Sequence, residues 1–390
     1  MNFDEEIDRR AVPALKWHRM VLGDGGEGLF PAGVADMDFR APDCVLSAMQ
    51  ARLDHGIFGY ETVQPDLMPS LTGWMARRHG WAIAPETILR APNILNALAM
   101  AVTLFSAPGD GVIVQPPVFF DFFDMLKEND RRIVENPLIL RDGRYEMDFA
   151  DLEAKAAAPQ VRMLLLCNPH NPMGRIWSEA ELRRLSEICL RHDVIVVSDE
   201  MHGDLGLPGA PRYVPFATLG AQHAQNAVIC LSPAKTFNIA SCAAAFSVVA
   251  DGEKRAAFQA ANSRLTVNKN NAFANVAMTA AWREGGPWLD AVMTYLAGNL
   301  ALMRDAIAPL SGVRLIAPEA GFLAWLDFRE LGLAPKELTR FLRHKAGWAA
   351  SRGEAFGTGG AGFARVNFAC RRARLEQALT SLTAAMRAPD

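Results

Sequence analysis

Ala227-Val-Ile-Cys-Leu231 runs straight into Ser232-Pro-Ala-Lys-Thr-Phe-Asn238, and the reading of the fold turns on this junction. Five apolar residues followed abruptly by a polar loop with one lysine describe a strand buried on both faces, ending where a ligand can be met. Similar runs recur outward from it: Gly111-Val-Ile-Val-Gln115, Met163-Leu-Leu-Leu-Cys167, Val194-Ile-Val-Val-Ser198 and Phe246-Ser-Val-Val-Ala250. Strands of this kind suit a mostly parallel sheet covered by helices. Between two of them Ser178-Glu-Ala-Glu181 has the pattern of a capping box opening a helix to about Arg191, which completes a βαβ unit.

The sequence predicts an α/β protein with a smaller α+β domain. After about residue 287 a long amphipathic stretch precedes short strands at 313–316 and 322–328, a helix at 335–345, a strand at 365–368 and a last helix from Arg372. A large α/β domain is expected over 41–285. A composite small domain is expected from 1–40 and 286–390, because the first 40 or so residues are too interrupted by Pro and Gly to stand alone. With 390 residues, 50% hydrophobic and 21% charged, the chain is neither a disordered tail nor a disulfide scaffold. Its 43 acidic and 40 basic residues leave a formal charge of -3, giving no basic footprint for nucleic acid or an anionic membrane. The six scattered cysteines form no zinc spacing, and the acidic N-terminus resembles no export signal. No metal site is expected, and the expected location is cytoplasmic.

Gly357-Thr-Gly-Gly-Ala-Gly362 fits a dinucleotide fingerprint nominally, but a strand rather than a helix is expected after it, so it reads as a loop. Three other polar clusters follow strands: Asn168-Pro-His-Asn-Pro-Met-Gly174, Ser198-Asp-Glu-Met-His202 and the segment 232–238. Singly, each could be a solvated turn. Together, an amide, a carboxylate and a lysine at successive strand ends share the chemistry of pyridoxal 5'-phosphate. The lysine forms a Schiff base, the carboxylate keeps the pyridine nitrogen protonated, and the amide donates to O3'.

The order of these groups resembles the fold-type I pyridoxal-phosphate enzymes. More closely, the chain resembles the MalY/PatB-type cystathionine β-lyase branch of the class I/II aminotransferase family. Val34-Ala-Asp-Met-Asp-Phe39, Phe58-Gly-Tyr60, NPHNPMGR at 168–175, SDEMH at 198–202, SPAKTFNIA at 232–240 and Gly362-Phe-Ala-Arg-Val-Asn367 carry the likeness, nearly end to end. It implies that Lys235 binds the cofactor and removes the substrate's α-proton. Asp199 then faces the ring nitrogen, Asn171 and His202 the O3' side, and Phe119 the ring face, where a tyrosine is common. Ser232 and the helix opening at Ile94 and Leu95 take the phosphate, joined by Tyr60 from the neighbouring subunit of a homodimer. Arg365 binds the α-carboxylate of an amino-acid substrate, with Val34 and Ala35 beside it.

The implied reaction is β-elimination from cystathionine or a related cysteine S-conjugate to pyruvate, ammonia and a thiol. The same lysine also serves transamination, so an aminotransferase acting on an uncharged amino acid stays open, as does a regulatory protein that holds the cofactor. Met173, Ala234 and Ala243 depart from the family pattern, the last at a position where many aminotransferases carry a phosphate-binding arginine. The stretch 241–245 departs as well. These changes are expected to make the pocket more apolar.

Overall fold

The computed structural model describes residues 1–23, 25–267 and 269–387. Its centre is a seven-stranded sheet in the spatial order Ile88–Ala91, Ala245–Val248, Ala227–Leu231, Ile195–Asp199, Val161–Cys167, Gly111–Val114 and Arg132–Glu135. The apolar runs become strands because successive side chains point to opposite faces and both faces are covered. Ile113, Leu164, Leu166, Val196 and Ile229 pack into one core, while Val112, Val114, Met163, Leu165 and Val228 pack into another. Helices Ile94–Phe105 and Gly252–Arg264 cover the second face, and helix Glu179–Arg191 covers the first. The predicted capping box at Ser178 and Glu181 is formed.

One strand departs from the mostly parallel expectation. Ala245–Val248 runs antiparallel to Ala227–Leu231 and to Ile88–Ala91. No crossover helix lies between 231 and 245, only turns and one short 3-10 segment, so the chain returns beside the strand it has just left.

The C-terminal part holds a four-stranded antiparallel sheet, Arg314–Ile316, Leu323–Asp327, Phe363–Asn367 and Ser351–Arg352, flanked by helices Gly286–Ile307 and Arg372–Arg387. Residues 335–345 do not form one regular helix. The α-turns of Pro335–Arg340 widen into a π-turn at Phe341–Lys345, closed by the Ala346 N–H on the Phe341 carbonyl at 3.1 Å. Gly357, Gly359 and Gly362 all adopt positive φ in a loop that enters a strand, which no dinucleotide fingerprint does.

The N-terminal segment lies along this C-terminal part. Phe30–Pro31 pairs in parallel with Trp348–Ala349, and the Asn367 N–H donates to the Ala32 carbonyl at 2.8 Å. Among the described residues, no helix is long and apolar enough to cross a membrane.

Candidate active site

Three adjacent parallel strands deliver the polar clusters to one edge of the sheet. Cys167 pairs with Asp199, and Asp199 with Cys230, so Asn168, Asp199 and Ser232 emerge side by side. The loop that carries Lys235 is braced from below: the Thr236 hydroxyl donates to Asp204 at 2.8 Å, and Asp204 also takes the Trp74 indole N–H at 2.8 Å. Neighbouring Glu200 is buried and held by Ser198 Oγ at 2.8 Å, the Phe216 N–H at 3.0 Å and the Tyr213 hydroxyl.

A second strap explains the motif at 34–39. Asn238, at positive φ, donates its amide to the carbonyls of Met37 and Phe39 at 3.0 and 2.8 Å and accepts from the Met37 N–H. Asp36 and Asp38 each pair with both Arg9 and the buried Lys16. Asn367 closes the strap, donating to the carbonyls of Val34 and Asp36, both at 2.6 Å. The carbonyls of Gly33 and Ala35 are thereby fixed against the site, and the Lys235 ammonium donates to the latter.

Burial, reinforced by the Arg365 charge, lowers the Lys235 amine from 10.5 to about 8, against the opposing pull of Asp36, Asp199 and Asp121. Burial raises the Asp199 carboxyl to about 6, although the Met201 N–H and the Lys235 charge resist. Asn171 accepts from Arg365 Nη1 at 3.0 Å, which turns its NH2 group into a free donor on the other side. Arg365 is 2% exposed and donates from Nη2 to the Gly33 carbonyl at 2.8 Å and to Ser351 Oγ at 3.3 Å. Its Nε is buried with no partner. A guanidinium this dry with an orphaned donor is suited to a planar anion such as a carboxylate. Burial, and behind it the Lys235 and Arg365 charges, lowers His202 to about 3, so its imidazole is neutral.

The residues also fit a phosphorylated pyridine ring. Asn93 caps helix Ile94–Phe105 through the Asn96 N–H at 2.9 Å, leaving the N–H groups of Ile94 and Leu95 without intrahelical acceptors. This helix end follows Ala91, which pairs with Ala245, next to the carbonyl of Ala244 that takes the Ser232 hydroxyl at 2.9 Å. Ser232 therefore lies near this helix end, with its proton directed at the Ala244 carbonyl. Phe119, with Phe120 at 5.3 Å between ring centroids, forms one wall of a cavity of about 610 Å³ that also reaches Val34, Ala35, Lys235 and Arg365.

Tyr60, expected from the neighbouring subunit, is fully exposed on the single chain. Leu15, Val21, Leu338, Leu342 and Trp348 give the cavity its apolar lining; Asp199, Asn171, His202 and Ser232 are buried or half-buried beside the loop of Lys235 and do not line it, and neither do the buried Met173 and Ala234. Asp121 and Ser351 line it too, and both escape sequence reading. A carboxylate directly after an aromatic pair at a helix start was the available signal for Asp121; Ser351 offered none.

Residues 31–382 match the family model of aminotransferase class I and II, and the chain belongs to that family. It is 44% identical over 390 residues to cystathionine beta-lyase PatB of Bacillus subtilis, covering 99% of this chain and 100% of that one. The structure of cystalysin from Treponema denticola, which contains pyridoxal 5'-phosphate, superposes with a TM-score of 0.94 at 31% identity, covering 99% of this chain and 98% of that one. The pyridoxal-phosphate-bound C-S lyase of Staphylococcus hominis does so at 0.90 and 29%, covering 100% and 98%.

Proposed function

We propose that this protein is a C-S β-lyase that converts cystathionine or a related cysteine S-conjugate to pyruvate, ammonia and a thiol. The carrying observation is its end-to-end identity of 44% with a cystathionine beta-lyase. The cofactor is pyridoxal 5'-phosphate. Lys235 would hold its aldehyde, Asp199 its ring nitrogen, Asn171 and His202 its O3' side, Phe119 its ring face, and Ser232 with the N–H groups of Ile94 and Leu95 its phosphate. When bound, it draws off the electrons left on the α-carbon once the α-proton is gone.

The chain supplies the rest. Arg365 receives the α-carboxylate bidentately and so fixes which substituent of the α-carbon faces Lys235. The Lys235 amine, lowered to about 8, is neutral often enough near pH 7 to accept the α-proton. Val34 and Ala35, held by the strap, flank the substrate, and the apolar wall beyond them receives the S-substituent and excludes water. Sulfur leaves from Cβ into this cavity.

The active unit in this reading is a homodimer in which the partner's Tyr60 reaches the phosphate end of the site. The exposure of Ile57, Phe58, Tyr60 and Val63 in one loop, beside exposed Leu53, supports a covered surface there. The reading also takes residues 41–285 as the large domain and 1–40 with 286–390 as the small one, supported by the pairing of Phe30–Pro31 with Trp348–Ala349. It places the protein in the cytoplasm, in keeping with six free cysteines.

Incubation with L-cystathionine, and separately with an amino donor and an α-keto acid, tests the reaction. Pyruvate with free thiol is expected, and Lys235→Ala abolishes it. Amino exchange without thiol release overturns the lyase reading.

A further inference from the structure

Resting on the lyase reading, we propose that Asp121 is the acid that hands a proton to the departing sulfur. Asp121 opens helix Asp121–Glu128 and lines the same cavity as Phe119, Phe120, Lys235 and Arg365. Once Arg365 holds the α-carboxylate and Lys235 faces the α-proton, the third substituent is left to the remaining cavity, which Asp121, Phe119 and Phe120 line.

Lys235 itself is committed to the α-proton, and among the described hydroxyls and carboxylates of the cavity one group stands free. Phe119 and Phe120 carry no hydroxyl. The hydroxyls that do line the cavity are engaged with backbone: Ser351 donates to the Gly33 carbonyl at 2.9 Å and Thr339 to the Pro335 carbonyl at 3.0 Å. Glu354 faces Arg352 at 3.8 Å. The half-buried Asp121 carboxylate has no hydrogen-bond partner among the described residues, so its oxygens are available to a ligand.

Its charge environment changes when substrate arrives. Four influences act on Asp121: burial and Asp124 favour the neutral acid, while Arg365 and Lys235 favour the carboxylate. A substrate carboxylate on Arg365 cancels the larger of the two cationic fields, and the balance tips toward protonation. In this proposal Asp121 carries the proton when the thiol departs. The Cβ–S bond breaks with its electron pair going to sulfur, and the Asp121 O–H proton moves to that sulfur to give the free thiol. The carboxylate left behind recovers a proton from the Lys235 ammonium, which has taken the α-proton, or from water. No oxidant or reductant is involved.

Thiols resemble the cysteine side chain, with pKa near 8.5, when alkyl, and are more acidic when aryl, so only alkyl leaving groups need the donor near pH 7. The test compares holoenzyme, Asp121→Asn and Asp121→Glu on cysteine S-conjugates running from alkyl to electron-poor aryl thiols. The Asn variant should lose about 10²-fold in kcat/KM on alkyl conjugates and under about tenfold on aryl ones, with Glu restoring part of the difference. Unaltered cofactor absorbance establishes that the variants are folded and loaded. Titration with an unreactive amino acid in buffers of different ionisation heat supplies a second readout: wild type takes up a proton on binding, and Asp121→Asn does not. Equal loss across the series, no loss, or unchanged proton uptake in the Asn variant overturns the proposal. If wild type releases thiol from no conjugate, the lyase reading itself falls, and the proton-donor role with it.

Discussion

The depressed Lys235 amine makes a prediction about cofactor capture that requires no turnover. Only the neutral amine attacks an aldehyde. An amine moved from 10.5 to about 8 is neutral in roughly one molecule in eleven at pH 7, against about three in ten thousand for an unperturbed lysine, a gain of about 300-fold. The rate at which apoprotein takes up pyridoxal 5'-phosphate should therefore climb about tenfold per pH unit up to about 8 and flatten above it. The neighbours set the sign of each perturbation. Arg365 disfavours the ammonium, so Arg365→Gln should move the bend to higher pH. Asp121 favours it, so Asp121→Asn should move the bend to lower pH. Stopped-flow absorbance of the bound cofactor reads both. A bend near 10 in the wild type, or both variants moving it in the same direction, would refute the electrostatic account of Lys235.

Arg365→Lys loses the fork that meets a carboxylate, and KM for the amino-acid substrate should rise about 30-fold, the equivalent of about 2 kcal/mol for a charged hydrogen bond, with a smaller change in kcat. Lys16→Met leaves Arg9 as the one remaining cation paired with Asp36 and Asp38 among the described residues; urea unfolding should show a loss of about 2 to 4 kcal/mol, and KM should rise as the strap at 34–39 loosens. If the partner's Tyr60 completes each site, mixing inactive Lys235→Ala with a Tyr60→Ala protein of low activity should restore about one quarter of wild-type turnover through hybrid dimers. A Tyr60 acting within its own chain restores nothing.

The strands were legible because burial on both faces writes itself into composition: Met163 to Cys167 can be apolar throughout only if each face has a cover, and two separate cores supply it. Strand direction leaves no such mark, which is why the antiparallel Ala245–Val248 was not foreseen. The site divides the same way. Lys235, Asp199 and Asn171 follow strands directly, so their place at one sheet edge could be inferred from order along the chain. Asp36 and Asp38 were visible as part of a motif, but nothing in the sequence links them to Arg9 and Lys16, which lie on two short 3-10 turns near the N-terminus.

Asp121 is the sharpest case. In sequence it is one acid at the start of a helix, a position where acids are common for reasons unrelated to function. What distinguishes it is a relation between three separate parts of the chain: a cavity shared with Lys235 and Arg365, walls without a free hydroxyl, and a carboxylate that nothing else holds. The substitution of phenylalanine at 119, legible as the loss of a hydroxyl, acquires its meaning only there. With no hydroxyl at 119, the proton is assigned to the unpartnered carboxyl two residues away, and the leaving-group series tests that assignment.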